Sequence, residues 1–217
     1  TLWHTLSLHD ALPIWSIVPN GPYSSNVYDM VSSGNILYVV QGGITGSWNN
    51  LFLSATLESF RDQKWDYRSN WSYKDLITLS VHPSDPTHAF AGSWGYGLLE
   101  YKEGEDLIRY DESNSTLQSI FPGGDFIRIG GITHDAMGNL WMTNSGVSEP
   151  VSVLKADGSW KSFRVDNLLS DYAALGEILI TQSGHKWIIV PRGKGLFAMD
   201  DNGTIDNTSD DVYKKIS

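Results

Sequence analysis

The chain has 217 residues and carries 15 Lys and Arg against 25 Asp and Glu, a formal net charge of −10. Hydrophobic residues at 41% and charged residues at 18% describe a chain able to build a packed core, not a disordered one. The acidic balance argues against non-specific nucleic-acid binding, since phosphate is repelled, and the lack of cysteine excludes disulfides and thiolate chemistry.

In chain order, the first feature is foreign. Residues 5–14 read Thr-Leu-Ser-Leu-His-Asp-Ala-Leu-Pro-Ile. This is the in-frame translation of a common short-read sequencing adaptor. Residues 1–14 are therefore expected to be an artefactual leader outside the fold, with the protein starting near Trp15. Beyond it no apolar run approaches the roughly 18–20 residues of a membrane-spanning helix. Helical periodicity is almost absent. The 9 Trp, 10 Tyr, 7 Phe and 21 Gly favour strands and tight turns, hence an all-β fold.

Four segments then repeat one pattern. In the first, 26–70, strands are expected at 27–31, 35–40 and 50–57 and from Trp65, with a turn at Ser33-Gly34. The second, 74–111, gives 76–81, 87–91 and 97–101 and a strand from Leu107. The third, 127–165, gives 129–133, 139–143 and 151–154 and a strand from Trp160. The fourth, 175–207, gives 177–181, 185–190 and 195–199. The central aromatics of the second strands, Tyr38, Phe90, Trp141 and Trp187, recur at intervals of 52, 51 and 46 residues. Asp157-Gly158 and Asn202-Gly203 are expected to close hairpins as type I′ turns, which need positive φ at both residues. The connection 112–124 is long and is expected to run across the surface.

Four short antiparallel strands at this repeat length are the signature of β-propeller blades. The expectation is a partial β-propeller of about four four-stranded blades, cut from a larger, seven-bladed ring. The second-strand aromatics are expected to pack between blades.

Candidate chemistry is sparse. His82, Asp85 and His88 gather at one turn, but their spacing fits no metal motif, and turn chemistry accounts for 83–86. His134-Asp135 ends a first strand without a Gly-x-Ser-x-Gly elbow anywhere in the chain. Asp135 is expected to cap the turn before Gly138. Asp200, Asn202, Thr204 and Asp206 alternate as oxygen ligands do, without the glycine and closing glutamate of a calcium loop. Ala156-Asp-Gly-Ser-Trp160 resembles the Asp-box turns of sialidase propellers, which are structural. Nothing in the sequence gathers three of Arg61, Arg68, Arg109, Arg128 and Arg192, as a sialidase requires. Asn70, Asn114, Asn202 and Asn207 match the short glycosylation acceptor pattern, which is expected here to be coincidence. The loops after two second strands remain. In 92–97, Trp94 and Tyr96 are candidates to stack on sugar rings. In 191–195, Arg192 and Lys194 are candidates to meet an anionic group. Packing of Trp94 between blades is the competing reading, and Trp48 and Trp71 carry the same ambiguity. No catalytic residue, metal or cofactor is assigned.

The runs Asp135-Ala-Met-Gly-Asn-Leu-Trp-Met-Thr-Asn144, Ala156-Asp-Gly-Ser-Trp-Lys-Ser-Phe163 and Lys186-Trp-Ile-Ile-Val190 resemble the blades of two-component-regulator propellers. Phe90-Ala-Gly-Ser-Trp-Gly-Tyr-Gly-Leu-Leu-Glu100, Asn114-Ser-Thr-Leu-Gln118, Gly195-Leu-Phe-Ala-Met-Asp-Asp-Asn-Gly-Thr204 and Asp206-Asn-Thr-Ser-Asp-Asp-Val-Tyr213 are similar to the N-terminal propeller of the PorZ-like family, surface components of the type IX secretion system of Bacteroidota. The resemblance runs from about Asn20 to Ser217. It implies a larger protein with two propellers and a C-terminal β-sandwich, located at the cell surface in association with the outer membrane. It also implies a non-catalytic role in presenting anionic lipopolysaccharide to the cargo-attaching sortase, with sortase and other secretion-system surface proteins as partners. The alternatives are a periplasmic ligand-sensing propeller of a hybrid two-component regulator, which would bind a glycan, and a propeller glycosidase.

Overall fold

A computed structural model describes residues 20–165, 168–169 and 173–217; the expected leader at 1–14 lies outside them. Among the described residues the chain forms sixteen strands and no helix. Blade 1 is β1 (Val27–Ser33), β2 (Ile36–Gln41), β3 (Ser54–Arg61) and β4 (Lys64–Lys74). Blade 2 is β5 (Leu76–Val81), β6 (His88–Gly95), β7 (Gly97–Lys102) and β8 (Ile108–Tyr110). Blade 3 is β9 (Ile127–His134), β10 (Leu140–Ser145), β11 (Val151–Leu154) and β12 (Trp160–Phe163). Blade 4 is β13 (Ile178–Ile180), β14 (Lys186–Ile189), β15 (Leu196–Asp200) and β16 (Val212–Ile216). Each blade is an antiparallel meander in chain order. The first strands lie side by side, β1 against β5, β5 against β9 and β9 against β13. The architecture is a partial β-propeller. Blades 2 and 3 also share hydrogen bonds, because the end of β6 pairs with the start of β9 through Trp94↔Arg128 and Gly95↔Ile127.

The blades cohere through three apolar layers, each between successive sheets. Tyr38, Val40 and Leu57 of blade 1 meet Leu79, Ala91 and Leu99 of blade 2. Phe90 and Leu98 meet Ile129, Ile132 and Met142. Trp141, Val153 and Phe163 meet Ile178, Ile188 and Phe197. Alternation along each strand sends one set of side chains to each neighbour. Burying one large side chain contributes roughly 1.5–3 kcal/mol, so each layer outweighs any single hydrogen bond at its rim. Tyr38, Phe90 and Trp141 fill these layers as expected. Trp187 does not. It pairs with Leu179, on the face of β14 opposite to Ile188, and is only half-buried. Leu179, Ile189 and Leu196 on that face are exposed.

The inner strands approach so closely that side chains are excluded. A Cβ at Gly130 would lie 1.9 Å from the Leu175 carbonyl oxygen, and one at Gly131 would lie 2.6 Å from Glu177 Cα. These glycines let β9 meet the chain entering blade 4.

Several boundaries differ from the sequence reading. β3 starts at Ser54 rather than at residue 50, because the Phe52 and Leu53 amides donate to the Asp75 carboxylate instead of a ladder. Asp157-Gly158 is not a type I′ turn. Only Gly158 has positive φ, and Gly158 N–H bonds to Lys155 C=O at 2.8 Å. Asn202-Gly203 does have positive φ at both residues, 48° and 73°, but it opens a run of turns across 201–207. The outer strand of blade 4 therefore comes later, at Val212–Ile216, beyond residue 207. Asp62-Gln63, which the sequence does not flag, has φ of 52° and 63° and joins β3 to β4. The connection after β8 is also more than a surface crossing. Leu117 is buried in the layer between blades 2 and 3, and the Asn144 side chain accepts from Gln118 N–H at 2.7 Å and donates to Gln118 C=O at 3.1 Å.

Blade 4 is fastened by a charge pair. Lys186 Nζ lies 2.6 Å from Asp201 Oδ1 with both side chains 4% exposed, and 4.0 Å from the centre of the Trp141 ring. Asp201→Ala leaves that ammonium buried without its carboxylate. The expected loss is about 3–5 kcal/mol, read as a fall of about 10 °C in thermal unfolding. Replacing both partners, Lys186→Met with Asp201→Leu, is expected to recover most of it.

Candidate functional site

Asp75 organises one end of the arc. It follows β4 in a left-handed conformation, φ 49°, and is fully buried. Its Oδ2 accepts from Asn50 Nδ2 at 3.1 Å and Phe52 N–H at 2.8 Å, and its Oδ1 accepts from Leu53 N–H at 2.9 Å. Its own N–H donates to Leu53 C=O, and its C=O accepts from Trp94 N–H at 2.9 Å. Asn50 Nδ2 also donates to the Trp94 carbonyl. The loop 42–53 of blade 1 is thereby strapped over the end of blade 2.

That strap places the aromatic rings. Trp48 meets Trp94 edge-on, ring centres 5.3 Å apart at 66°, and Trp94 Nε1 donates to the Trp48 carbonyl at 3.1 Å. The far edge of Trp48 reaches blade 4, where a Cβ on Gly176 would sit 3.1 Å from it. The β6–β9 pairing sets Arg128 beside Trp94. Its guanidinium lies over the Trp94 ring at 5.2 Å and over the Phe126 ring at 5.3 Å. Its Nε is buried without a hydrogen-bond partner. Arg192, held at φ 63°, donates to the Ser47 carbonyl from across the arc. Burial, and then the Arg192 charge, pull Arg128 below the ordinary arginine value. It stays charged, because that value lies far above neutrality.

The four residues picked from sequence do not form one site. Trp94 and Arg192 share this cluster. Trp94 is 0% exposed, its ring already covered by Trp48 and Arg128, so it offers no open face for a sugar. Its contribution is to position Arg128. Tyr96 belongs to an outer patch. Its ring lies 6.0 Å from Tyr73, and its carbonyl accepts from Arg109 Nε at 2.9 Å. Lys194 is exposed in the β14–β15 loop. Arg128 and Phe126 were not picked. The available signal was an arginine between the apolar residues Ile127 and Ile129 of an inner strand, where the alternation alone gives it no role. Trp71, equally ambiguous from sequence, is 78% exposed on β4.

Two carboxylates face each other near the same end. Asp29 of β1 accepts from Met30 N–H and Leu79 N–H, both at 2.8 Å. Glu177 precedes β13. Its side chain is open to solvent, but the surrounding atoms displace much of its hydration. That desolvation, followed by the charge of Asp29, pushes its carboxyl up to about 7. Asp29 is also raised, first by burial.

The remaining candidates are structural. Asp85 accepts from Thr87 N–H and Oγ1, and His88 Nε2 pairs with Glu100 at 2.6 Å. No group of three His, Asp or Glu among the described residues is placed to hold a metal ion. His134 Nδ1 meets Ser80 Oγ at 2.8 Å, yet burial, and then His82 and His88, hold its pKa down to about 4. Such a ring is a weak base at neutral pH. Asp135 turns away from it. Its carboxylate accepts from Met137 N–H, Asn139 and Trp141 Nε1, capping the turn before Gly138. Asp157 likewise accepts from Ser159 N–H and Oγ, a structural turn.

Neither a family model nor a curated protein matches the chain. Solved structures do. The chain is similar to PorZ of Porphyromonas gingivalis, described as an essential surface component of the type IX secretion system, at TM-score 0.80 and 24% identity over 93% of this chain. It spans 29% of the length of that structure. It is also similar to virginiamycin B lyase of Staphylococcus aureus, at TM-score 0.62 and 14% identity, over 88% of this chain and 56% of the lyase. The extracellular domain of the hybrid two component system BT4673 of B. thetaiotaomicron matches at TM-score 0.52 and 11% identity, over 90% of this chain and 28% of that one. These likenesses establish the propeller fold. That fold serves a secretion component, a lyase and a sensor alike, so function must be argued from the site.

Glu177 makes stability depend on pH. Its folded pKa lies above the unfolded value of about 4.3, so its contribution is fully present below that value. The contribution is lost as pH rises through about 7. Glu177→Gln is expected to flatten this part of the profile. It should stabilise the chain at pH 8 by about 1 kcal/mol, discounted for exposure, and leave it unchanged at pH 4. Urea midpoints across pH 4–8 measure this.

Proposed function

We propose that this chain is part of a non-catalytic, ligand-holding propeller of a PorZ-like cell-surface component of the type IX secretion system. Its ligand is anionic lipopolysaccharide, held for the sortase that attaches cargo. The observation that carries the reading is Arg128, caged between Trp94 and Phe126 with an unpartnered Nε and a second arginine, Arg192, nearby. Like charges are gathered here against their mutual repulsion, on a chain of net charge −10. A phosphate or carboxylate bound between the two guanidinium groups offsets that repulsion. The rings fix the guanidinium plane, which favours bidentate contact. Similarity to PorZ over most of this chain supports the assignment to a surface component. The low pKa of His134 and the full use of Asp135 in a turn support a non-catalytic role.

The second reading is the ligand-sensing propeller of a hybrid two-component regulator, supported by the similarity to the BT4673 extracellular domain. In that case the same arginines recognise a free anionic glycan. Surface plasmon resonance over vesicles separates the readings. Vesicles carrying anionic lipopolysaccharide are expected to retain the chain, with binding that falls as salt rises. Vesicles with a neutral lipopolysaccharide are expected not to. Arg192→Ala is expected to weaken retention about tenfold, the loss of one charge-assisted contact. Arg128→Lys, which keeps charge but loses the planar fork, is expected to weaken it by a similar factor. Equal retention on both vesicles, or turnover of either lipid, would overturn the proposal. Binding only to the soluble glycan favours the sensor.

A further inference from the structure

The geometry points to a second, separate ligand site: the outer cleft between blades 1 and 2 binds one neutral, hexose-sized sugar residue. At the other two junctions the outer rim is plugged by rings. Tyr110 packs on Trp160 at 5.2 Å between blades 2 and 3, and Trp141 on Phe163 at 5.4 Å towards blade 4. Between blades 1 and 2 the outer strand β4 brings no ring to the gap, and Tyr38 and Tyr101 stay in the layer beneath it. The aromatics of β4 turn to the opposite face, Trp65 against Phe60 at 5.0 Å and Tyr67 against Tyr23 at 5.4 Å. Register then sends Lys64, Asp66 and Arg68 to the junction, opposite Arg61, Ser59 and Leu57 of β3. The result is a cavity of about 320 Å³, at the small end of ligand pockets.

Its chemistry selects the occupant. The floor is apolar, from Ile36, Leu57 and the Tyr38 ring, whose hydroxyl is already spent on the Pro86 carbonyl at 2.9 Å. Tyr101 also lines it, 5% exposed, and its hydroxyl is buried without a partner. Burial pushes that phenol well above its usual pKa, so it stays a donor. Such an orphan is costly unless something binds it. At the mouth Arg61 bridges to Glu103 of blade 2 at 2.8 and 3.2 Å. Lys64, Asp62 and Asp66 make no ion pair among the described residues, and Arg68 donates only to the Lys102 carbonyl at 3.3 Å. Both signs of charge therefore remain available side by side. A polyanion would face Asp62, Asp66 and Glu103, and a cation would face Lys64, Arg68 and Lys102. A neutral polyol suits this mixture, since each of its hydroxyls both donates and accepts. One sugar ring supplies an apolar face for the floor and hydroxyls for Tyr101, Asp66 and Arg68.

Saturation-transfer difference NMR on the whole chain tests this with D-mannose, D-galactose and N-acetyl-D-glucosamine, and with D-glucuronate as the charged counterpart. At least one neutral sugar is expected to give a saturable signal with a dissociation constant of about 1–10 mM. Asp66→Ala is expected to weaken it about tenfold, and Tyr101→Phe about fivefold. Tyr101→Phe should leave the melting temperature of the free chain unchanged or raised, because it removes an unsatisfied hydroxyl. Arg192→Ala at the other site should change nothing, which keeps this result separate from the lipopolysaccharide reading. Absence of saturable binding by all three neutral sugars overturns the proposal. So does binding of glucuronate alone, or a signal that either cleft variant leaves unaltered.

Discussion

The candidate anion site depends on one buried carboxylate. Asp75 sits where β4 has ended and β5 is about to begin, and both oxygens are used by the loop of the preceding blade. A buried charge is tolerated only when hydrogen bonds replace its water, and Asn50, Phe52 and Leu53 supply them. The consequence reaches well beyond the turn. Those bonds delay β3, lift residues 42–53 into a loop and lay Trp48 across Trp94. Trp94, so wedged, gives Arg128 a ring to lie on. A structural carboxylate at one blade junction thus sets the plane of a guanidinium at the next.

The two charged junctions use different physics. Lys186 and Asp201 are sealed from water with Trp141 beneath them, and their pairing is satisfied within the protein. Arg128 is held by rings alone, with a donor unspent. A satisfied buried pair stabilises a unique packing, whereas an unsatisfied guanidinium stores capacity to bind. The same contrast separates the junctions at the outer rim. Aromatic plugs close two of them, and the third presents alternating charges over a buried phenol. The candidate binding places in this arc are therefore the ones where charges or donors are left without protein partners.

Much of the fold was legible in the chain. Strands β5 and β11 have the bounds that alternation and turn residues suggest, and Tyr38, Phe90 and Trp141 lie between blades, because a flat ring fits a layer flanked by two sheets. The misreadings have local causes. A turn dipeptide suggests a hairpin closed at once, but Asn202-Gly203 starts a longer connection. Asp62-Gln63, with no glycine, makes the tight turn instead. Leu117 reads as part of a surface crossing, but it is buried, and its neighbour Gln118 is held by Asn144, 26 residues further along the chain.

The candidate sites were less legible. Loop position and residue type suggested Trp94, Tyr96, Arg192 and Lys194, and only two of these come together. Trp94 belongs to β6 whereas Tyr96 lies in the turn to β7, between Gly95 and the positive-φ Gly97, so the two part company although only two residues apart. Arg128 joins Trp94 through a strand pairing between blades, and Arg192 arrives from 145 residues beyond Ser47. The sequence by itself determined the repeat, the strand class, the acidic balance and the aromatic layers, because periodicity and turn chemistry are local. Only the tertiary structure decided which charges are satisfied, which rings are covered and which cleft stays open. Those properties depend on how one blade meets the next, and no single repeat contains that information.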